Sequence, residues 1–137
     1  MKKFISLSLI IIIISSFVFP IEAATTNETS ITPRYTYLEF ISTDISINAN
    51  TGKATCTATC SSVSGYTVKI VCELQQYRNS TWTTLQTWNA SGNVDASVTG
   101  NRYISQGYKY RAYATYYVYN TSGRQVEKVT NYDSLTY

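Results

Sequence analysis

The sequence predicts an all-β domain, an antiparallel β-sandwich of about seven or eight strands. After residue 24, apolar and polar side chains alternate at a spacing of two, which is typical of strands with one buried face. Turn signals rich in Gly, Asn and Ser recur roughly every 8–14 residues, and no helical period is present. All thirteen tyrosines also lie after residue 24, and tyrosine and threonine both favour strands.

The first 24 residues are predicted to be a secretory signal peptide. Two lysines precede the apolar stretch Phe4–Phe19, and Ala23 and Ala24 supply the small residues of a cleavage site. An uncleaved membrane anchor is the alternative, but a spanning helix needs about 20 apolar residues. We therefore expect a secreted, extracellular protein without a stable membrane span after cleavage. A flexible lead-in at 25–33 then precedes a single β-sandwich domain at 34–137.

The early strands follow from local alternation between turn signals. Pro33 favours an extended backbone ahead of the first strand, and Asn50–Lys53 has the composition of a hairpin turn. Small residues alternate with Thr and Ser over 54–62, so we expect large side chains to pack onto that strand. The predicted strands lie at residues 34–41, 45–48, 54–62, 67–77, 82–88, 94–104, 107–119 and 124–137.

Gly107–Tyr119 shows the clearest alternation in the chain and is predicted to be a central strand. Its inward set is dominated by Ala and Tyr. Its outward set consists of Lys109, Arg111, Tyr113, Thr115, Tyr117 and Tyr119. Loops are expected at 89–93, between two strands, and at Asn120–Gly123, where a tight hairpin leads into the last strand.

Ile104, Tyr110, Ala112 and Ala114 occur at the spacing of one recurrent local motif. They resemble the tyrosine-corner segment of fibronectin type III and related sandwiches. The resemblance implies that the Tyr110 hydroxyl bonds back to the backbone, with Tyr108 as the rival, although the usual proline is missing. Together with the strand spacing, it predicts an immunoglobulin-like antiparallel β-sandwich, with a jelly roll or an open barrel as alternatives.

A second resemblance extends over nearly all of residues 33–127. The residues that carry it are 33–37, 52–56, Leu74, Gln75, Trp82, Trp88, 107–111, Val118, Tyr119, Gly123 and Glu127. In these residues the chain resembles a family of small exported domains of unknown function from Gram-positive bacteria. The resemblance implies export and a β-rich domain, and it provides no catalytic or binding residues to transfer.

Three cysteines are the residues with the most distinctive chemistry. Cys56 and Cys60 lie on one predicted strand with Cα atoms about 13 Å apart, too far for a disulfide. A symmetric turn at Ser64–Gly65 would place Cys56 opposite Cys72, so these two are the candidate disulfide. Three buried free thiols are the alternative. A metal site fits poorly because two ligands on one extended strand are too far apart.

Composition argues against catalysis and against binding of nucleic acid. The chain has no histidine, the usual base for serine or cysteine nucleophiles and a common metal ligand. The carboxylates show no distinctive pairing, so we predict no catalytic residues, no metal and no cofactor; a glycan-acting enzyme fits least well. After residue 24, nine Lys or Arg are scattered among seven Asp or Glu, without the clustered basic patch that nucleic acids require.

Aromatic side chains are the candidate binding residues. Trp82 and Trp88, six residues apart, are predicted to share a face, and Tyr113, Tyr117 and Tyr119 to form an outward stripe. Such a row can stack on sugar rings or peptides, which indicates a module that binds an extracellular glycan or protein. Tryptophans in the core and ordinary cross-strand pairing are the alternative. A secreted structural or toxin-like protein that associates with itself or a membrane is the second functional hypothesis.

Overall fold

A computed structural model of the protein describes residues 35–137. The predicted signal peptide and lead-in therefore lie outside the described residues. The described part forms seven strands: β1 (Leu38–Asn48), β2 (Lys53–Ser62), β3 (Thr67–Arg78), β4 (Thr81–Asn93), β5 (Asp95–Tyr103), β6 (Lys109–Tyr119) and β7 (Gln125–Thr136). Among these residues, no helix is long and apolar enough to cross a membrane.

The strands form two antiparallel sheets with one core between them, which confirms the predicted all-β, sandwich-like class. Sheet A has the order β1-β2-β5 and sheet B the order β4-β3-β6-β7. The core receives side chains from both sheets. β2 and β6 direct alternate residues into it, as the period of two predicts, whereas the ladders of β1, β4 and β7 have register shifts.

Small residues on β2 accompany large ones on β6. Ala54, Cys56, Ala58 and Cys60 are buried along β2, whereas Tyr110 and Tyr116 are the largest fully buried side chains of the described residues. The Tyr116 hydroxyl donates to the Ser42 carbonyl at 2.6 Å and lies 2.7 Å from Thr43 Oγ1. A tyrosine of sheet B thus reaches β1 of sheet A and satisfies its polar end inside the core.

Two predicted boundaries were wrong. The two segments predicted at 34–41 and 45–48 correspond to one strand, β1, which begins at Leu38, continues through residues 42–44 and has a register shift between Leu38 and Phe40. The predicted loop at 89–93 is the second half of β4, which remains paired with β3 as far as Thr67 opposite Asn93. Polar composition suggested a loop there because β4 is an edge strand, whose outer side chains face solvent.

The predicted Cys56–Cys72 disulfide was also wrong. All three cysteines are free and buried, which agrees with the alternative interpretation of three buried free thiols. The turn at Ser64–Gly65 connects two sheets rather than closing a hairpin, so Cys56 lies opposite Ile45 and Gly100, not opposite Cys72. Burial raises the pKa of Cys56 to about 12 and those of Cys60 and Cys72 to about 11, which keeps the thiols protonated and unreactive.

The hydrogen bond predicted for Tyr110 is present. Its buried hydroxyl donates to the Ser105 carbonyl at 2.7 Å and accepts the Gln76 amide at 2.9 Å. One phenol therefore ties β3 and β6 to the segment that enters β6. Tyr108, the rival position, packs edge-on against Tyr110 with ring centroids 6.4 Å apart.

Carboxylates of β7 bond to the free edge of β1. The Glu127 carboxylate accepts three consecutive backbone N–H groups at 2.8–2.9 Å: those of Thr36, Tyr37 and Leu38. Asp133 accepts the Ile45 N–H at 3.1 Å. Edge strands leave backbone groups unpaired, so these acids satisfy β1 and join the two sheets along one side.

Candidate functional site: the outer face of sheet B

The aromatic face is the name we give to the outward side of sheet B. It is defined by six aromatic rings and by the two cations that lie over them: Tyr77, Trp82, Tyr113, Tyr117, Tyr119, Tyr132, Arg111 and Lys128. Burial alternates without a break along β6 from Tyr110 to Val118, so Tyr113, Tyr117 and Tyr119 point outward as predicted. Register places Tyr132 of β7 opposite Tyr113 and Lys128 opposite Tyr117.

The two tryptophans lie on opposite faces of sheet B, contrary to the prediction that they share one. Leu74 pairs with Gln86 and Gln75 with Thr84, so Leu85 is an extra residue without a partner in the ladder. One inserted residue moves every following side chain to the other face. Trp82 consequently points outward beside Tyr77, with ring centroids 5.1 Å apart.

Trp88 packs inside the sandwich. It pairs with the buried Cys72 and contacts the core. Its indole lies directly on Gly100 of sheet A, where an added Cβ would overlap the ring. Glycine is therefore required at position 100, and Trp88 is a core residue rather than part of a binding surface.

Arg111 lies at the centre of the aromatic face. Its guanidinium carbon is 4.2 Å from the Trp82 ring centroid, 4.7 Å from that of Tyr113 and 5.5 Å from that of Tyr132. Contacts within about 6 Å are attractive because the cation faces the negative side of the ring system. The guanidinium and three rings from β4, β6 and β7 therefore form one continuous cluster.

Hydrogen bonds beneath the cluster hold Arg111 in place. Its Nε donates to Gln75 Oε1 at 2.7 Å. The Gln75 amide in turn donates to Glu73 Oε2 at 2.9 Å and to Thr84 Oγ1 at 3.3 Å. Gln75 is only 8% exposed although it points outward, so the cluster covers it. A site held by such supporting bonds is pre-organised for a ligand.

The aromatic face extends along β6 with a second pair of rings. Tyr117 and Tyr119 lie with centroids 6.4 Å apart and ring planes 26° apart, and Lys128 Nζ is 5.6 Å from the Tyr117 centroid. The outward side chains of the described sheet include the cations Lys69, Lys109, Arg111 and Lys128 and the single carboxylate Glu73. The face is thus both aromatic and positively charged.

Sequence reasoning missed Tyr77, Tyr132 and the central role of Arg111. Tyr132, which is 58% exposed, lies opposite Tyr113 only because the register shifts by one residue, Val126, next to the Asn120–Gly123 hairpin. Counting from the turn alone would have placed Tyr132 on the inner face of the sheet. Tyr77 and Trp82 become neighbours only through the tight β3–β4 turn. No Gly or Pro next to Leu85 marks the bulge in the sequence.

The described residues contain no group of three or more His, Cys, Asp or Glu side chains that could hold a metal ion. A scan against protein-family models and a search of curated proteins both find no match to this chain. The chemistry of the site therefore has to be derived from its own geometry. That geometry offers stacking surfaces, a delocalised cation and hydroxyl groups, which are the means by which proteins hold sugar rings.

Proposed function

We propose that the protein is an exported, non-catalytic binding module of immunoglobulin-like type, which binds a negatively charged extracellular glycan through the aromatic face. The observation that carries the proposal is the stack of Arg111 on Trp82, flanked by Tyr113 and Tyr132. It presents flat apolar surface and positive charge at one outward position. Glycans with carboxylate or phosphate groups combine apolar ring faces with negative charge, and they complement both properties.

The immunoglobulin-like assignment is favoured by the sheet order. In the constant-type immunoglobulin topology the first, second, fourth and fifth strands form one sheet, and the third, sixth and seventh form the other. Six of the seven strands of this chain are divided in the same way, whereas β4 pairs with β3 and lies in the second sheet. The hydroxyl bond of Tyr110 at the start of β6 is the second feature in favour, because a tyrosine at that corner recurs in such sandwiches.

A non-catalytic role agrees with the structural hydrogen bonds that three of the carboxylates accept. Glu127 and Asp133 accept backbone N–H groups of β1, and Glu73 accepts the Gln75 amide beneath the aromatic face. Each of these carboxylates has a structural partner. Export follows from the predicted leader and from the resemblance to exported Gram-positive domains, and it would place the aromatic face in contact with surface glycans.

A glycan array that includes neutral and acidic polysaccharides tests the proposal. We expect acidic glycans to bind, and Trp82→Ala to weaken binding about five- to thirtyfold, since one stacked aromatic contributes roughly 1–2 kcal/mol. Phe40→Ala is the control, because Phe40 is an exposed aromatic, 52% accessible, that lies on sheet A and not on the aromatic face. Equal affinity of wild type and Trp82→Ala, or binding of neutral glycans as strong as that of acidic ones, would contradict the proposal.

A further inference from the structure

A polar cleft of about 260 Å³ lies at the end of the sandwich where β3 ends and β6 begins. Its polar wall comes from both sheets and consists of Gln76, Arg78, Arg102, Ser105, Tyr108 and Tyr110. Two of these side chains are arginines, and none of the described lining residues is acidic. The cleft is therefore a concentration of positive charge that the described residues do not neutralise.

Arg102 reaches the cleft from β5 of sheet A and is fixed by the bulge in β4. One terminal nitrogen of its guanidinium donates to the Leu85 carbonyl and, at 3.2 Å, to Gln86 Oε1. Leu85 is the residue without a partner in the ladder, so its carbonyl needs this donor. The other guanidinium nitrogens of Arg102 make no hydrogen bond within residues 35–137, and they can serve a ligand.

Arg78 approaches the same cleft from the end of β3 in sheet B. Its guanidinium carbon lies 5.4 Å from the Tyr108 ring centroid, which holds the side chain over the cleft. Gln76 is held by its bond to the Tyr110 hydroxyl. It retains a second amide N–H, and Ser105 also lines the cleft. The cleft thus combines two guanidinium groups, those of Arg78 and Arg102, with neutral hydrogen-bond donors.

We propose that this cleft binds an oxyanion, a phosphate or carboxylate group, between Arg78 and Arg102. The planar guanidinium matches both groups because its parallel N–H donors bond two oxygens at once. Donors from opposite sheets surround the anion more completely than one surface arginine could. The site lies at the end of the sandwich, apart from the aromatic face, so it does not depend on the glycan-binding function.

Nuclear magnetic resonance of the ¹⁵N-labelled exported protein tests the site directly. Inorganic phosphate and glucuronate are titrated separately, with sodium chloride at matched ionic strength as the reference. We expect saturable shifts of the Nε–H signals of Arg78 and Arg102 and of the Gln76 side-chain amide with at least one anion. The two titrations show which oxyanion is preferred. Shifts that follow ionic strength alone, or no saturation with either anion, would overturn the proposal.

Substitutions then distinguish the cleft from general charge attraction. Arg78→Gln should weaken anion binding by about tenfold or more, because a hydrogen bond to a charged group is lost. Arg124→Gln removes the same charge from the exposed β6–β7 turn at the other end and should leave affinity unchanged. Arg78→Lys keeps the positive charge but lacks the parallel N–H donors of the guanidinium, so it should bind with intermediate affinity. Equal weakening by Arg78→Gln and Arg124→Gln would refute a site in the cleft.

Discussion

At the scale of single residues, the hydroxyl of Tyr110 makes a contribution that its ring alone does not. It is 1% exposed and connects Ser105 and Gln76. Tyr110→Phe removes the partner of a partly buried carbonyl and of a partly buried side-chain amide. We expect the free energy of unfolding, measured with urea, to fall by about 1–1.5 kcal/mol.

Tyr103→Phe is the matched control for that substitution. Tyr103 is 71% exposed, and removal of its hydroxyl should change the unfolding free energy by less than about 0.5 kcal/mol. If both substitutions had the same small effect, the Tyr110 hydroxyl would not be a stabilising link between β3 and β6.

Tyr110 and the cysteines differ in how far local sequence could predict them. The bond of Tyr110 spans only five residues, and its position follows from alternation within one strand. The pairing of Cys56 and Cys72 depended on whether a turn closes a hairpin or passes to another sheet. Both outcomes have the same local composition, and long-range packing decides between them.

At the scale of elements, the contact between β1 and β7 depends on Glu127. Its carboxylate is the acceptor for three consecutive amides of the segment that leads into β1. Glu127→Ala should destabilise the protein by about 2–3 kcal/mol, since bonds to a charged acceptor are lost. Hydrogen exchange at Thr36, Tyr37 and Leu38 should accelerate more than exchange in the paired interior of β2.

Gln125→Ala is the control for this element, because Gln125 is exposed and lies at the start of the same strand. It should leave both the unfolding free energy and the exchange of the three amides unchanged. Unaltered protection of those amides in Glu127→Ala would show that β1 is held by other contacts.

The Leu85 bulge explains why the sequence predicted the strand containing the tryptophans but not their faces. Six residues separate Trp82 from Trp88, which in an uninterrupted strand places them on one side. The additional residue at Leu85 places the two tryptophans on opposite sides, and no adjacent Gly or Pro indicates it in the sequence. The residue that stabilises the bulge, Arg102, lies in β5. The local sequence of β4 therefore does not reveal the bulge. The outward set of β6, by contrast, required no information beyond its own alternation.

At the scale of the whole molecule, the buried thiols and the buried phenol of Tyr116 predict that the folded protein loses stability at alkaline pH. Burial raises the pKa of the three thiols from 9.0 to about 11–12, and burial also raises that of Tyr116 from 10.0 to about 12. The unfolded chain therefore releases these protons at lower pH than the folded one. Their stabilising effect is complete below pH 9 and is lost as pH rises towards 12.

The expected outcome is a progressive fall of the urea midpoint between pH 9 and pH 11 at constant ionic strength. A variant with Cys56→Ala, Cys60→Ala and Cys72→Ala should have a lower midpoint at pH 7 but a shallower fall with pH, because fewer buried groups remain to ionise. Identical slopes for the two proteins would show that the thiols do not contribute to the pH dependence.

The two sheets differ in the surfaces that they present. Outward hydroxyls on sheet A bond to one another across strands, as in Thr59 with Ser97 at 3.0 Å and Thr57 with Thr99 at 3.3 Å. Sheet B instead presents rings and cations around Arg111. Hydroxyl pairs satisfy one another and leave little to attract a ligand, whereas the aromatic face includes the exposed rings of Tyr77 and Tyr132. This asymmetry underlies the proposal that sheet B binds and sheet A does not.

The measurement that tests this claim most directly is a map of amide shifts while an acidic glycan from the array is added to the ¹⁵N-labelled protein. The account predicts that shifts concentrate on the outward residues Trp82, Arg111, Tyr113 and Tyr132, with little change across β2. Shifts confined to sheet A, or spread evenly over both sheets, would contradict it.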